Sequence, residues 1–239
     1  MSDAWISRLF CALRCDMLER RKGKTMAQKQ IYLVNEKEPY CRIYTVDYKV
    51  YSGFSLSQKQ KTIRSYQGAY YQLYPGRKLL EVSSASEEEL GRKLSAFNLL
   101  KYVPSLDRKI PLECIFQGGK VYESGGPYTD MYEMAPGEAK KDPRKDSSGR
   151  LKSFEFEGKR YPLEPKTLFY DGLYFLALKE NPELAEQLLD YDGFTDVFFN
   201  PERAFNCQAI SCARYVSLIK AGKLEEYLND FERKGCETI

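Results

Sequence analysis

The sequence predicts an α+β protein, mostly helical, in which a small N-terminal antiparallel sheet packs on a helical body. Three observations carry that expectation. Between Gln30 and Tyr51, β-branched and aromatic residues alternate with polar ones, which is the signature of half-buried strands. Apolar residues recur at helical spacing through most of the second half. The 239 residues, 43% of them hydrophobic, are enough to bury a real core within one domain.

In chain order, Ile31 and Leu33, then Ile43, Thr45, Tyr48 and Val50, mark two strands around a turn at Glu36 to Tyr40. Ser57 opens a helical stretch through about Tyr71, and Lys78 to Val82 reads as another strand. Ser86-Glu87-Glu88-Glu89 has the pattern of a capping box, so a short helix should run through Leu94. Pro111 suits a first helical position and predicts a three-turn helix from Pro111 to Glu123, stopped by Ser124-Gly125-Gly126-Pro127. Pro165 similarly starts a core helix to Glu180, with Leu168, Phe169, Leu173, Leu176 and Ala177 as its apolar residues and Asn181-Pro182 as its stop. A helix over Pro182 to Leu189 follows, and Asp192 to Pro201 is a strand or ordered loop. Ala204 to Lys220 carries an apolar face and is capped by Gly222; Leu224 to Arg233 is the last helix.

Residues 1 to 25 differ from the rest. Trp5, Ile6, Leu9, Phe10, Leu13 and Met17 recur at helical spacing, but Arg8, Arg14 and Asp16 interrupt the apolar run that a secretory signal needs. The basic run Arg20 to Lys24 then leads to Met26. One reading makes Met26 the natural start, with residues 1–25 a leader outside a single domain at 26–239. The other makes the segment an amphipathic surface helix that touches membrane or partner.

Composition narrows the chemistry. Lys plus Arg number 37 against 34 Asp plus Glu, a net charge of +3, too small to mark the whole chain as a polyanion binder. No long uncharged apolar run is present, so no membrane span is expected. The chain has no histidine, which excludes Ser-His-Asp triads, Cys-His dyads and histidine-liganded metal sites. Proton transfer falls to Glu, Asp, Lys, Tyr or Cys, and carboxylate-run reactions such as glycosidic cleavage are favoured. The seven cysteines include no Cys-x-x-Cys pair and read as reduced thiols of a cytoplasmic protein, with no metal and no cofactor expected.

The segment Leu112 to Asp130 is the most informative. At about 100° per residue, Glu113, Gln117 and Lys120 fall within about 60° of one another, on one helical stripe. The adjacent Gly118 and Gly119 cost a helix about 1 kcal/mol each relative to alanine and make sense where something must approach the backbone closely. The plain alternative is a solvated face with a Glu-Lys pair. Beyond it, Gly125 to Asp130 forms a loop carrying Tyr128, Thr129 and a terminal acid, Asp130. Between Lys140 and Lys152 basic residues, Arg144 among them, outnumber acids and could contact DNA phosphates, unless the stretch is simply a solvated loop. Tyr122, Tyr128 and Tyr132 could stack on a base, although in a chain with 19 tyrosines some such placement is expected by chance.

With Phe116 before the glutamine, the spacing Glu-x-x-x-Gln-x-x-Lys at Glu113, Gln117 and Lys120 resembles the signature helix of the NADAR superfamily, whose members include N-glycosidases of riboflavin-pathway intermediates and ADP-ribose-removing antitoxins. Pro136 to Arg144 is similar to the family's Pro-x-x-Ala stretch ending in Arg, and Asn206-Cys207-Gln208-Ala209 lies where members have an Asn and a small residue on the last core helix. Tyr51 to Ser55 with Gln58-Lys59, Leu80 to Ser84, Leu94 to Asn98 and Phe194-Thr195-Asp196 look like the branch associated with DarT-type toxins. The resemblance runs from about Lys29 to Gly222. Two departures stand out: Arg160-Tyr161-Pro162-Leu163 replaces the tryptophan that many members carry before the long core helix, and Gly118-Gly119 replaces their alanine or small polar residues.

The resemblance implies an N-glycosidase that removes ADP-ribose from a nucleobase, guanine in DNA foremost, as antitoxin to a DNA ADP-ribosyltransferase. Its partners would be ADP-ribosylated DNA or nucleoside and a cognate toxin. Such a reaction needs carboxylates to stabilise an oxocarbenium-like carbon and deliver water, for which Glu113, Asp130 and Asp196 are the candidates. Lys120 either contacts phosphate or attacks the ring-opened sugar as a Schiff-base amine. Gln117, Gly118, Gly119, Tyr128, Thr129, Arg144 and Asn206 are the expected substrate contacts. A metabolic N-glycosidase of a phosphoribosyl intermediate, and a non-catalytic ADP-ribose-binding module, are the alternatives.

Overall fold

The computed structural model describes residues 26–202 and 204–237; the expectations for residues 1–25 lie outside them. Strands β1 (Met26–Leu33) and β2 (Arg42–Lys49) pair antiparallel along their whole length, Met26 opposite Lys49 and Leu33 opposite Arg42, as the alternation predicts. Helix α1 (Leu56–Leu73) packs on β2, and Ser55 rather than Ser57 caps it by accepting the Gln58 amide. Between helix and sheet, Ile31, Val46, Ile63, Tyr66 and Tyr70 form one apolar cluster.

The sheet does not stop at the hairpin. Strand β3 (Leu79–Glu81) runs parallel to β9 (Gly193–Thr195), which pairs antiparallel with β1, so the order is β2-β1-β9-β3. The remaining expected helices α6 (Leu168–Lys179), α7 (Pro182–Leu188), α8 (Gln208–Lys220) and α9 (Leu224–Lys234) are all present. Helix α6 is buried on nearly every face, and Leu173, Tyr174, Phe175 and Ala177 are wholly enclosed in the larger core.

Four expectations are corrected. The Ser86 capping box does not form: Ser86 is buried and its hydroxyl takes the Glu88 amide two residues on, so α2 (Glu89–Lys93) starts without a side-chain cap. Pro165 is three residues too early, because the Leu168 amide closes a turn on the Pro165 carbonyl before α6 begins. Helix α8 begins at Gln208 rather than Ala204, where the Gln208 side chain is held by tertiary bonds. The helix from Pro111 ends early: α3 spans Leu112–Gly118, and the chain continues as β6 (Lys120–Tyr122).

Two features were not expected at all. Strands β4 (Leu100–Val103) and β5 (Arg108–Pro111) form a hairpin that delivers the chain into α3. A second antiparallel sheet, ordered β10-β8-β7-β6, is built from β7 (Leu151–Phe156), β8 (Lys159–Tyr161) and β10 (Cys236–Glu237) beside β6. Between β6 and β7 lie two single turns, α4 (Pro136–Ala139) just before the basic stretch and α5 (Arg144–Ser147) within it.

Candidate active site

Helix α3 is fixed at its start by backbone partners outside it. The first amides of a helix have no partner within it, and here Leu112 N–H donates to the Leu99 carbonyl and Glu113 N–H to the Ala96 carbonyl, each at 2.9 Å. Every residue of the helix is buried. Glu113 is 5% and Gln117 8% exposed, so the stripe is not a solvated face.

These side chains form a hydrogen-bonded row. Lys120 Nζ donates to Gln117 Oε1 at 2.6 Å, and Gln117 Nε2 donates to Glu113 Oε1 at 2.9 Å. Lys140 Nζ lies 3.8 Å from the same Glu113 oxygen. Glu113 thereby has one ammonium group, Lys140, against it and a second, Lys120, linked through Gln117; Lys120 lies over the Phe116 ring at 4.8 Å and Lys140 over Phe97 at 5.3 Å. Burial pushes Lys120 down to about 8; Glu113 opposes that, and the charges of Lys145 and Lys140 add to it.

Lys120 keeps its place in the row although it sits on a strand. Gly119 closes α3, and its carbonyl accepts the Glu155 amide at 2.6 Å, so β pairing captures the chain where the helix would have run on. A β-carbon at Gly119 would fall 2.6 Å from the Glu155 carbonyl oxygen, and one at Gly118 2.8 Å from the Tyr132 ring. What approaches these glycines is the protein's own chain. Gly119→Ala should therefore destabilise by about 1–3 kcal/mol through overpacking, read as a lower Tm in thermal unfolding. An unchanged Tm would mean that β7 shifts freely.

A second carboxylate group lies at the ends of β3 and β9. Glu81 accepts four hydrogen bonds: Ser83 Oγ at 2.6 Å and Val197 N–H at 2.7 Å on one oxygen, Thr195 Oγ1 at 2.6 Å and the Tyr66 hydroxyl on the other. It ties the strand ends to the turn at Asp196. Asp196 accepts the Phe198 amide at 2.9 Å, and no side chain among the described residues hydrogen-bonds its other oxygen. Burial first, and then the Glu81 charge, push its carboxyl up to about 7, against the opposing influence of the Phe198 amide, Lys29 and Lys140.

Gln208 joins the two groups. Its Nε2 donates to the Val82 carbonyl at 2.5 Å, and its Oε1 accepts the Ala96 amide at 2.8 Å, while the Ala96 carbonyl holds Glu113. Val82 N–H in turn donates to the Thr195 carbonyl at 2.7 Å. One knot of backbone therefore anchors the residues that carry Glu113, Asp196 and the Asn206 loop. Tyr170 of α6 is buried beside it, and its hydroxyl is raised well above the usual value by burial, then by Glu113, Cys207 and Asp196. Asn206 Oδ1 is buried with no hydrogen-bond partner among the described residues, an acceptor of the kind that a ligand donor satisfies.

The remaining expected residues are grouped elsewhere. Arg144 donates to Asp130 at 2.8 and 3.1 Å and to Asp142 at 2.9 Å, and its guanidinium lies 4.4 Å over the Tyr128 ring. The Tyr128 hydroxyl shares a 2.6 Å hydrogen bond with Ser148. This is a closed structural knot in which both charges of the Arg144–Asp130 pair are neutralised, and no hydrogen bond among the described residues joins it to Glu113. Thr129 is exposed at the turn beside it.

Three site residues escaped the sequence reading. Glu81 is the lone carboxylate in an apolar strand followed by serines, which was the signal for it. Gln208 lies in Asn206-Cys207-Gln208-Ala209 with nothing in the spacing to give it a role, and Lys140 is one of many basic residues. The buried thiols offer no alternative chemistry at neutral pH: burial raises Cys114 to about 11, Cys41 and Cys212 to about 12, and Cys207 well above its usual value.

Among the described residues no group of three or more His, Cys, Asp or Glu side chains is arranged to hold a metal ion, and no helix is long and apolar enough to cross a membrane. No curated protein matches the chain. A family model described as "DarT1-associated NADAR antitoxin" matches residues 27–234.

Proposed function

The chain belongs to the DarT1-associated NADAR antitoxin family, and we propose that it is an N-glycosidase that hydrolyses the bond between ADP-ribose and a guanine base of DNA, reversing the modification made by a DNA ADP-ribosyltransferase toxin. The family's description calls its members antitoxins associated with DarT1, which supports a toxin partner. The acting domain is taken as residues 26–239, in a cytoplasm that keeps the buried thiols reduced.

The observation that carries the reading is a pair of buried carboxylates in unlike settings. Glu113 is held by the Lys140 ammonium and the Gln117 amide, whereas Asp196 is raised to about 7 and so holds a proton near neutral pH. Hydrolysis breaks the C1–N bond, forms a C1–O bond to water, delivers one proton to the departing base and removes one from the water. Asp196 supplies the proton to the base; Glu113 faces the developing sugar cation and accepts the proton of the attacking water. Lys120, Lys140 and Lys145 meet the diphosphate, since Glu113 is the one carboxylate within ion-pair distance of any of them among the described residues. Asn206 Oδ1 accepts an N–H of the base. Arg144 and Asp130 hold the 128–148 loop instead of touching substrate.

The test is direct. Incubating the purified protein with an oligonucleotide carrying ADP-ribosylated guanine should release free ADP-ribose and restore unmodified DNA. Modified DNA left unchanged at several pH values would remove the hydrolase reading, and ADP-ribose binding without turnover would leave a binding module in its place.

A further inference from the structure

The loop between β9 and α8 presents two aromatic rings to solvent, each within two residues in the chain of a group assigned above to the base. Phe198 is 50% and Phe205 63% exposed. The Phe198 amide is the one that holds Asp196, and Phe205 immediately precedes Asn206. Each ring has a cation against its face: Lys59 Nζ lies 4.6 Å from the Phe198 centroid and Lys166 Nζ 4.1 Å from that of Phe205. Neither lysine is ion-paired among the described residues.

More of the same character surrounds them. Phe54, 97% exposed, stands one residue before the Ser55 cap of α1. No acid occupies the first turn of that helix, so its positive end is uncompensated there. Lys29 donates to the carbonyls of Asp196 and Phe199. Glu164 stands two residues before Lys166 and Glu202 three before Phe205, and both are exposed.

Exposed aromatic faces interleaved with unpaired cations match the chemistry of a single nucleic-acid strand, whose bases stack on rings while its phosphates meet lysines. The anionic backbone complements Lys59 and Lys166. A base whose glycosidic bond is to be cut must leave the helical stack, and its neighbours then need somewhere to lie. We propose that Phe198 and Phe205, with Lys59 and Lys166, form a stacking platform for the nucleotides that flank the modified base in a single DNA strand. The platform rests on the glycosidase reading and gives the strand its place on the protein.

Unmodified fluorescein-labelled single-stranded DNA tests it without any turnover. At low salt the wild type should bind this strand by fluorescence anisotropy, and the double change Phe198→Ala with Phe205→Ala should weaken Kd at least tenfold. Both rings are half open or more, so Tm should hold; Phe198→Trp and Phe205→Trp should restore affinity, which a purely structural role would not produce. Lys59→Gln with Lys166→Gln should reduce the slope of log Kd against log salt by about 0.7 for each phosphate that is no longer neutralised. In turnover, the ratio of kcat/KM for a modified oligonucleotide to that for an ADP-ribosylated nucleoside should drop about tenfold in the alanine variant.

Equal DNA affinity in wild type and alanine variant overturns the platform, and so does absence of binding by the wild type. Preferential capture of anionic phospholipid vesicles through the same residues would likewise replace it with a membrane surface. Because the binding arm uses unmodified DNA, loss of the glycosidase reading would appear separately, as failure to turn over any ADP-ribosylated substrate.

Discussion

Glu113→Gln is expected to lower kcat by about 10²-fold or more while leaving substrate affinity little changed. The amide has the shape of the carboxyl and can still accept the Gln117 bond, so what disappears is the negative charge opposite the developing sugar cation. That charge acts only in the transition state, which is why the loss belongs in kcat. The same substitution has a second readout. Glu113 is the influence that opposes burial at Lys120, so without it the Lys120 pKa should fall below its present value of about 8. In the variant, the rise of KM at alkaline pH should move to lower pH. Full kcat would show that the α3 row is structural, and the proton chemistry would then rest on Asp196.

How far the sequence revealed this arrangement differs from element to element. The β1–β2 hairpin and helix α8 were legible because each buries one face, and burial writes periodicity into sequence, whereas α6, buried on nearly every face, was legible as an apolar run stopped by Asn181-Pro182. The β4–β5 hairpin inverts the expected pattern. Lys101 is buried and bonded to Glu180, while Leu100 and Tyr102 on the same strand are exposed. Polarity alternates there in the wrong phase. The end of α3 was hidden for another reason, since Lys120 to Tyr122 has helical spacing but is claimed by strand β7 through the Glu155 amide. Such pairing between distant segments leaves little local trace.

The site divides the same way. Glu113, Gln117 and Lys120 converge whether the last of them lies on a helix or on a strand, so the spacing was informative even where the element was wrong. Asp130 and Arg144 looked like free groups because their partners are each other and Asp142, and pairing is a tertiary fact. Glu81 shows the converse. A carboxylate in an apolar strand is costly unless satisfied, and the four donors that satisfy it come from Tyr66, Ser83, Thr195 and Val197, scattered over three segments.

The pH profile should carry the second large effect. If Asp196 protonates the departing base, kcat must fall as pH rises through about 7, because only the protonated carboxyl can donate. Asp196→Asn should abolish that limb and lower kcat at pH 6 by about 10²-fold or more. Stability follows the same proton. The folded carboxyl is raised above its unfolded value, so the stability linked to it is fully present below the ordinary aspartate range and is lost as pH rises through about 7. Thermal unfolding between pH 4 and 7 should show that loss in the wild type and a flatter profile in Asp196→Asn. Lys120 titrates next, at about 8, and the direction of its effect separates its two roles. A phosphate contact loses its charge there, so KM should rise with pH while Lys120→Arg retains much of the activity. A Schiff-base amine becomes nucleophilic there, so kcat would climb instead, the arginine variant would be inactive, and borohydride would trap an ADP-ribosyl adduct on the wild type. With the opposite ordering at Asp196, kcat rising through about 7, the carboxyl would be acting as base, and the roles assigned to it and to Glu113 would exchange.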